Sequence, residues 1–334
     1  MRAVVMTRAG GPEVLELGQV PDPQICQPME VLVALEAAGL NPIDTKLRQR
    51  GTFYPEQMPA ILGCDAAGRV VAVGSQVRDF QPGDAVYWCH GGLGQGGGSY
   101  AELQVLDARY LAPKPARLDF VQAAAVPLAL ITAWEALYDR ARLTAGQTVL
   151  IHGGAGGVGH LAIQLAKLQG ARVLTTVSSP EKGQWVQRLG ADVVLYYRET
   201  DFVESVRYWT EGRGVDVALD TVGGQVFHAT AQAVAHYGDL VTLLQPPAEG
   251  LGWEEARRRN LRIAFELMLT PQLANLEEAL MHQTEILRTA GRLFDAGQLE
   301  IHVAQTFPLS QAAAAHRLLG EGRTQGKLVL VHNS

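Results

Sequence analysis

Short apolar runs separated by turn-forming residues characterise the first 125 residues of the chain. The runs recur at regular intervals, and Pro- and Gly-rich stretches such as Gln81-Pro82-Gly83-Asp84 lie between them. Short strands at this spacing predict a compact, barrel-like β domain. The predicted strands cover residues 4–7, 14–17, 31–38, 68–73, 85–87 and 100–105.

A different pattern begins near residue 120, where apolar runs of strand length alternate with helical patterns. This alternation predicts a parallel sheet covered by helices on both faces. The predicted strands are 148–151, 172–177, 193–196, 215–220 and 239–243, and the predicted helices are 120–140, 159–169, 180–189, 202–210 and 224–235. Beyond residue 270 the pattern predicts helices at 276–296 and 309–319 and strands at 302–307 and 327–332, which we expect to complete the first domain.

A glycine-rich turn connects the first strand of the alternating region to its helix. Gly154, Gly156 and Gly159 fit the pattern G-x-G-x-x-G, with Gly157 and Val158 between them. In such a motif the first glycine allows the turn, the second lets a pyrophosphate approach the backbone, and the third lets helix and strand pack closely. Because a strand precedes the motif and a helix follows it, we expect a dinucleotide to bind here rather than a plain structural turn.

The residues after the second strand bear on the choice between NADH and NADPH. A site selective for NAD usually places Asp or Glu at the end of this strand, where it binds the ribose 2′-hydroxyl. This chain has Ser178 and Ser179 there, followed by Lys182, which suit a 2′-phosphate, whereas Glu181 is expected to face solvent. The sequence therefore favours NADPH. Helix capping by a serine together with a solvated lysine is the alternative interpretation.

Composition and charge describe an ordinary soluble globular protein. The chain has 334 residues, 47% of them hydrophobic and 19% charged, with a net charge of −6, which argues against nucleic acid as a partner. We identify no signal peptide and no apolar run of membrane-spanning length, so we expect a cytoplasmic protein without a membrane partner. Cys26, Cys64 and Cys89 form no C-x-x-C motif, and we expect three unpaired thiols.

Taken in order, several motifs resemble the medium-chain dehydrogenase/reductase superfamily, and most closely its zinc-free NADPH:quinone oxidoreductase, or zeta-crystallin-like, branch. The resemblance implies an α/β enzyme with a GroES-like β-barrel catalytic domain, residues 1–125 completed by 268–334, and a doubly wound Rossmann domain, residues 126–267. Besides the glycine turn, the motifs are Gly39-Leu40-Asn41-Pro42-Ile43-Asp44, Leu62-Gly63-Cys64-Asp65-Ala66-Ala67-Gly68, Gln81-Pro82-Gly83-Asp84, the segment 127–137, Asp220-Thr221-Val222-Gly223-Gly224 and Gly326-Lys327-Leu328-Val329-Leu330.

The resemblance also bears on metal binding. Zinc-containing members of the superfamily place a Cys where this chain has Leu40-Asn41 and a His-Glu pair where it has Cys64-Asp65, and they carry a four-Cys lobe. Cys64 and Asp65 alone cannot supply three protein ligands in a tetrahedral site. We therefore expect no metal, and we expect reduction of a conjugated acceptor rather than oxidation of a simple alcohol.

The resemblance assigns roles at the cofactor. It implies that Asn41 lies beside the nicotinamide and that Thr132 contacts it, whereas Arg323 is a candidate for the adenosine phosphate or else a solvated loop cation. The other implied contacts are Gly156, Gly157 and Val158 with the pyrophosphate, Ser178, Lys182 and Tyr197 with the 2′-phosphate, and Thr221, Val222 and Leu244 with the nicotinamide. On the acceptor side the candidates are Asn41, Asp44 and Tyr54, and Tyr54 is expected to donate a hydrogen bond to a carbonyl oxygen.

Three functions fit these features. The first is a quinone reductase that uses NADPH, and the second is a reductase of α,β-unsaturated aldehydes, ketones or thioesters on the same fold. The third is a non-catalytic protein that binds NADPH, while a zinc alcohol dehydrogenase is disfavoured by the missing ligands. We also expect a homodimer, formed through an exposed last strand of the cofactor sheet near residues 239–244.

Overall fold

The computed structural model describes residues 1–332, which divide into two compact units. Unit 1 contains Met1–Leu128 together with the C-terminal segment from Leu269, and unit 2 contains Ala129–Met268. The chain thus leaves unit 1 once and returns to it once.

The N-terminal part of the chain is rich in strands. Its elements are β1 (Arg2–Met6), β2 (Leu15–Gln19), β3 (Glu30–Gly39), α1 (Pro42–Arg50), β4 (Ala60–Ile61), β5 (Asp65–Val73), β6 (Ala85–Cys89), β7 (Leu103–Asp107), β8 (Ala112–Pro113), α2 (Phe120–Ala124) and α3 (Pro127–Trp134). Short 3-10 helices cover Pro12–Val14, Pro55–Gln57 and Ala108–Tyr110.

Strands and helices alternate in the next part. Its elements are a π-helix (Glu135–Arg140), β9 (Thr148–Ile151), α4 (Gly159–Leu168), β10 (Arg172–Val177), α5 (Pro180–Arg188), β11 (Val193–Tyr196), α6 (Phe202–Trp209), β12 (Val215–Asp220), α7 (Gln225–Ala233), β13 (Val234–Thr242), α8 (Leu251–Arg258) and β14 (Arg262–Phe265). The chain then continues through α9 (Thr270–Leu273), α10 (Glu277–Asp295), β15 (Val303–Pro308), a 3-10 helix (Leu309–Gln311), α11 (Ala312–Gly320) and β16 (Lys327–Val331).

Unit 1 is built on a sheet with the order β15-β16-β3-β5-β6-β8, in which β7 also pairs with β3, and on a smaller sheet β2-β1-β4. Apolar side chains that include Val33, Val70 and Trp88 form a buried core. The C-terminal strand β16 runs antiparallel to β3, with Val329 opposite Gly39. This pairing brings the first residue of β16, Lys327, to the end of β3, where the candidate site begins.

Unit 2 contains a parallel sheet with the order β11-β10-β9-β12-β13-β14. The order reverses between β9 and β12, which is the arrangement of a doubly wound dinucleotide-binding sheet. Ligands of such sheets bind outside the carboxyl ends of the strands at the reversal. The predicted α/β class with a doubly wound sheet is confirmed.

Two sequence predictions about secondary structure are wrong. The single helix predicted at 120–140 is broken between α2 and α3, because Pro127 lacks an N–H and disfavours a helical residue before it. Its last part, Glu135–Arg140, is a π-helix. The strand near 239–244 was also expected to be the exposed edge of the sheet. All four residues of β14 instead pair with the 239–242 part of β13. Within residues 1–332 the edge strand on this side is β14, whose short Arg262–Phe265 run gave little periodic signal.

Within residues 1–332, no helix combines the length and the apolar character needed to cross a bilayer.

Candidate functional site

The glycine turn after β9 is shaped by close backbone contacts. Gly153 has a positive φ of 62°, so the left-handed residue of the turn lies one position before Gly154, the first glycine of the motif. A Cβ on Gly154 would lie 2.0 Å from the Thr175 hydroxyl oxygen, and one on Gly159 would lie 2.3 Å from the Gly153 carbonyl oxygen. At Gly156 the nearest atom would be 3.2 Å away. The first and last glycines of the motif are therefore needed for packing, whereas a Cβ on Gly156 would meet only the Gly153 carbonyl oxygen.

The polar residues predicted to bind the 2′-phosphate gather at one end of the sheet of unit 2. Strands β10 and β11 pair in parallel up to Val177 and Tyr196, and the Tyr197 amide donates to the Val177 carbonyl at 3.3 Å. Ser178 and Tyr197 thus follow adjacent strand ends. Ser178 and Lys182 are half-buried and Tyr197 is exposed, with the Arg198 guanidinium 5.9 Å from the centre of its ring.

Ser179 has a structural role in this region. Its hydroxyl accepts a hydrogen bond from the Lys182 amide at 3.4 Å and caps the N-terminus of α5. A hydrogen bond with the Ser179 side chain lowers the pKa of Glu181, which is exposed on the first turn. The capping alternative is thus realised at Ser179, and Ser178 and Lys182 are left as the polar side chains nearest the strand end.

Asp220 organises the turn at the end of β12. Its buried carboxylate accepts from the amides of Val222 and Gly223 at 2.9 and 2.8 Å and from the Thr242 hydroxyl at 3.0 Å. The Thr221 hydroxyl donates to the His152 carbonyl at 2.7 Å. Leu244 packs where a side chain on Gly223 would lie. Thr221, Val222 and Leu244 are therefore brought together at the carboxyl end of the sheet, as expected for residues that line one ligand.

His152 supports this end of the sheet from within the unit. Its ring nitrogens lie 3.1 Å from the Thr176 hydroxyl and 2.9 Å from the Thr230 hydroxyl. Burial lowers the pKa of His152 to about 4, so the ring is neutral at physiological pH. Both ring nitrogens of His152 are therefore occupied by threonine hydroxyls, and the residue has a structural role and not a role in proton transfer.

Thr132 and Arg323 complete the predicted cofactor residues. Thr132 lies on α3 and is 6% exposed. Arg323 is exposed in the loop between α11 and β16, which belongs to unit 1. Their proposed contacts with the cofactor stay predictions.

A buried polar cluster in unit 1 surrounds Asn41, which follows β3 and caps α1. The Asn41 side-chain amide donates from Nδ2 to Asp65 Oδ2 at 2.9 Å, and its Oδ1 accepts from the Lys327 ammonium. Lys327 also donates to the Leu40 carbonyl at 2.9 Å and lies 3.6 Å from Asp65 Oδ2. The three side chains are at most 4% exposed. The Asn41 amide is therefore held at both ends by opposite charges.

Asp65 is the negative member of this cluster. Its Oδ1 accepts from the Leu128 amide at 2.8 Å, and the Cys89 thiol is a further hydrogen-bond partner. Burial raises the pKa of Asp65, while Lys327 and the hydrogen bonds oppose that rise. Buried charges are tolerated only when they are paired and hydrogen-bonded, and Asp65 satisfies both conditions.

Asp44 supports Asn41 from inside the protein. Its Oδ2 accepts from the Asn41 backbone amide at 2.8 Å and from the Tyr100 hydroxyl at 3.1 Å. Tyr100 in turn lies 3.1 Å from His316 Nε2. Asp44 is completely buried, and this burial raises its pKa to about 7. Asp44 thus hydrogen-bonds Asn41 and Tyr100 and lies on the side of Asn41 that faces the protein interior.

Tyr54 lies apart from this cluster on a surface loop of unit 1. It is half-buried, and its amide donates to the Thr52 hydroxyl at 3.2 Å. The neighbouring Phe53 amide donates to the Leu93 carbonyl at 3.2 Å, so the glycine-rich loop around Leu93 supports this segment. Within residues 1–332 no side chain or backbone group bonds the Tyr54 hydroxyl, which leaves it available as a donor.

Four residues of this cluster were not predicted as site residues from the sequence, namely Asp65, Tyr100, His316 and Lys327. Asp65 and Lys327 belong to motifs that served only as family markers, and Lys327 lies in a predicted strand with apolar neighbours. A lysine in such a strand was the available signal, since a buried lysine requires a partner. Tyr100 and His316 carry no comparable signal.

The donor set for a metal is incomplete in the part of the chain that the structure describes. It contains no group of three or more His, Cys, Asp or Glu side chains placed to hold a metal ion. The cation that pairs with Asp65 is the ammonium of Lys327. All three cysteines are free thiols, as predicted, and burial raises the pKa of Cys64 and Cys89. These residues do not fit a three-ligand zinc site.

Two protein-family models match the chain. Residues 27–116 match the alcohol dehydrogenase GroES-like domain, and residues 189–330 match the zinc-binding dehydrogenase family. The second description names a metal for which the described residues offer no suitable ligand group.

Individual proteins are similar over nearly the whole chain. A quinone oxidoreductase of Pseudomonas aeruginosa is 36% identical, covering 96% of this chain and 97% of its own. A 2-haloacrylate reductase of a Burkholderia species is 33% identical over 98% of each chain. The crystal structure of Escherichia coli quinone oxidoreductase complexed with NADPH superposes with a TM-score of 0.87 at 30% identity, covering 99% and 100%.

The packing at Gly159 predicts the effect of a single methyl group. Gly159→Ala should lower the free energy of unfolding by about 1–3 kcal/mol, because its Cβ would overlap the Gly153 carbonyl. Gly18→Ala is the matched control, since a Cβ on Gly18 meets nothing within 4 Å. Chemical denaturation of both variants tests this, and a Gly159→Ala variant as stable as the Gly18→Ala variant would contradict it.

The buried Asp44 predicts a pH dependence of stability. The folded-state pKa is about 7 and the ordinary value is 3.8, so between these pH values the folded protein holds a proton that the unfolded chain has lost. Stability should therefore fall as pH rises from about 4 to about 7, by up to about 4 kcal/mol. Asp44→Asn should remove this contribution. Urea denaturation from pH 4 to pH 8 measures it, and parallel pH profiles for wild type and variant would refute it.

Proposed function

Because the chain belongs to the quinone oxidoreductase branch of the medium-chain dehydrogenase/reductase superfamily, we propose that it reduces a quinone with NADPH and without zinc. The chain is thus an oxidoreductase, and its acceptor, cofactor and metal independence are the points of the proposal. The observation that carries the choice of cofactor is the polar end of β10 and β11, where Ser178 and Lys182 lie beside Tyr197. Hydroxyls and an ammonium suit a 2′-phosphate.

The cofactor would supply the hydride, and the chain would supply binding and orientation. The turn Gly153–Gly159 leads into the N-terminus of α4, whose first amides have no partners within the helix and favour an anion. Gly156, Gly157 and Val158 would hold the pyrophosphate, and Ser178, Lys182 and Tyr197 the 2′-phosphate. Thr132, Thr221, Val222 and Leu244 would line the nicotinamide, and Arg323 would add a cation at the adenosine phosphate.

On the acceptor side we assign different roles to the three predicted residues. Tyr54 has an unused hydroxyl and would donate to a carbonyl oxygen as that oxygen gains charge. Asn41 would donate to the acceptor from its side-chain amide. Asp44 is a positioning residue, because its carboxylate is fully buried and bonds the Asn41 backbone.

The zinc-free part of the proposal depends on the charge balance of the cluster. A zinc ion would need anionic or imidazole ligands, whereas Asp65 is already paired with Lys327 and Asn41 is neutral. A quinone or an enone delocalises the charge that a hydride delivers, so its reduction needs no Lewis acid. The same residues would serve both acceptors.

Reduction of an activated double bond is the second candidate. The similarity to a 2-haloacrylate reductase favours it, since a haloacrylate is an α,β-unsaturated acid. Quinones and enones both place a carbonyl in conjugation with the carbon that receives the hydride. They differ in ring shape and size, which an acceptor panel separates.

We expect turnover of a benzoquinone or naphthoquinone with NADPH and little turnover with NADH. Lys182→Ala should raise KM for NADPH about tenfold and leave the reaction with NADH unchanged, since an ammonium–phosphate contact is lost. Lys167→Ala is the control, because Lys167 pairs with Asp192 before the start of β11, at the opposite end of the sheet. The assay follows loss of reduced nicotinamide with a panel of quinones, an enone and a simple aldehyde.

The outcomes of that panel separate the candidates. Turnover of the enone alone would move the assignment to double-bond reduction. Equal use of NADH and NADPH, or an unchanged KM in Lys182→Ala, would contradict the assignment of the 2′-phosphate site.

We further propose a homodimer formed through β14 instead of β13. An edge strand presents unpaired backbone groups, and a two-fold axis beside β14 would continue the sheet into a second chain. Phe265 and Leu267 at its end are 58% and 53% exposed. Light scattering after gel filtration should give twice the chain mass of 36.0 kDa.

Phe265→Asp should shift the protein towards a monomer. Tyr208→Asp is the control, since Tyr208 is 90% exposed on α6. A wild-type mass of one chain would end the dimer proposal.

A further inference from the structure

The neutral side-chain amide of Asn41 lies between two buried charges, the carboxylate of Asp65 and the ammonium of Lys327. We propose that Asp65 and Lys327 are positioning residues that hold this amide in a single orientation, so that it meets the acceptor's carbonyl oxygen as a hydrogen-bond donor. This inference rests on the proposed reduction of a quinone or enone. It assigns the direction of the Asn41 hydrogen bond and the two residues that decide it.

The orientation follows from what each partner can do. An ammonium group only donates, so the Asn41 atom facing Lys327 must be the amide oxygen. An ionised carboxylate only accepts, so the atom facing Asp65 must be the amide nitrogen. Rotating the amide by half a turn would place donor against donor and acceptor against acceptor. The charged pair thus excludes the second orientation.

One polar hydrogen of Asn41 remains after these contacts. Its Nδ2 carries two hydrogens, and one of them is donated to Asp65. Among residues 1–332 no acceptor receives the other. Asn41 is 1% exposed, so a hydrogen bond made there would not compete with bulk water. A donor held rigidly in a dry site stabilises developing charge without reorganising.

Lys327 also affects the strength of this donor. Its hydrogen bond to Oδ1 draws electron density from the amide and makes the N–H hydrogens more positive. Asp65 neutralises the ammonium, and the Asn41 amide lies between the two charges. The pair therefore provides a polarised donor without leaving a net charge in the interior.

The chemistry that this donor would assist is a two-electron reduction. A hydride adds to the conjugated acceptor, one π bond shifts, and the electron pair it releases comes to the carbonyl oxygen. For a quinone, hydride addition at a ring carbon gives a keto-enolate anion. Water protonates the enolate oxygen and leaves hydroxide, and transfer of a ring C–H proton to the second carbonyl oxygen then gives the hydroquinone. The Asn41 N–H would bond the oxygen while it carries the charge, and it would not itself be transferred.

An exchange of the two side chains tests the inference in the full-length protein. Asn41→Asp alone places two carboxylates against one ammonium, and the melting temperature should fall by several degrees. Adding Asp65→Asn restores one carboxylate, one amide and the contact with Lys327. The double variant N41D/D65N should therefore melt close to wild type.

Kinetic measurements on the same variants distinguish a role in positioning the Asn41 amide from a role in stability alone. In N41D/D65N the side chain of residue 41 carries no N–H, so kcat with a quinone should fall about 100-fold. The ratio of KM for NADH to KM for NADPH should change little, because the Ser178–Lys182 region proposed to bind the 2′-phosphate is untouched. A purely structural role of the pair would leave kcat of this well-folded variant near the wild-type value.

Two results would overturn the inference. The first is a double variant with wild-type kcat, which would mean that the Asn41 N–H is not used. The second is a double variant that melts as low as Asn41→Asp, which would mean that the pair does not hold the amide. Absence of NADPH-dependent turnover in the wild type would instead contradict the proposed function, and the melting comparison would still decide whether Asp65 and Lys327 fix the amide.

Discussion

The ion pair between Lys327 and Asp65 is the constraint on which the candidate site of unit 1 depends. Both side chains are buried, so each would carry a large desolvation cost if its partner were absent. Their contact with each other and with Asn41 offsets that cost. The same contacts join three separate parts of the chain, namely the end of β3, the start of β5 and the start of β16. The candidate site of unit 1 is therefore complete only when the C-terminal segment is folded into unit 1.

Glycine has the corresponding role in unit 2, where close backbone approach replaces charge. The turn after β9 places Gly159 against Gly153 and Gly154 against Thr175, so that α4 begins directly above the sheet. The parallel strands then bring the ends of β10, β11, β12 and β13 to one edge. Buried hydrogen bonds such as those of Asp220 and His152 fix the turns at that edge, where we propose that the cofactor binds.

The surroundings of single residues bear on their predicted roles. The acceptor-side role of Asp44 stays a prediction, and its buried side chain accepts hydrogen bonds from Asn41 and Tyr100. Ser179 looked equivalent to Ser178, yet it caps α5. In both cases the residue type indicates which chemistry the side chain could perform. The burial of the side chain and its hydrogen-bond partners bear on whether it performs that chemistry. Asp65 and Lys327 show the converse, since their motifs marked the family without indicating that they contact each other.

The sequence by itself determined the fold class, the alternation of strands and helices from β9 to β13, and the position of the glycine turn. These features depend on local periodicity and on backbone requirements, which are written along the chain. Only the tertiary structure decided that β14 covers β13, that Gly153 carries the positive φ, and that Lys327 faces Asn41 and Asp65. The physical reason is separation along the chain. Lys327 lies 286 positions from Asn41, and no local pattern specifies a partner so distant.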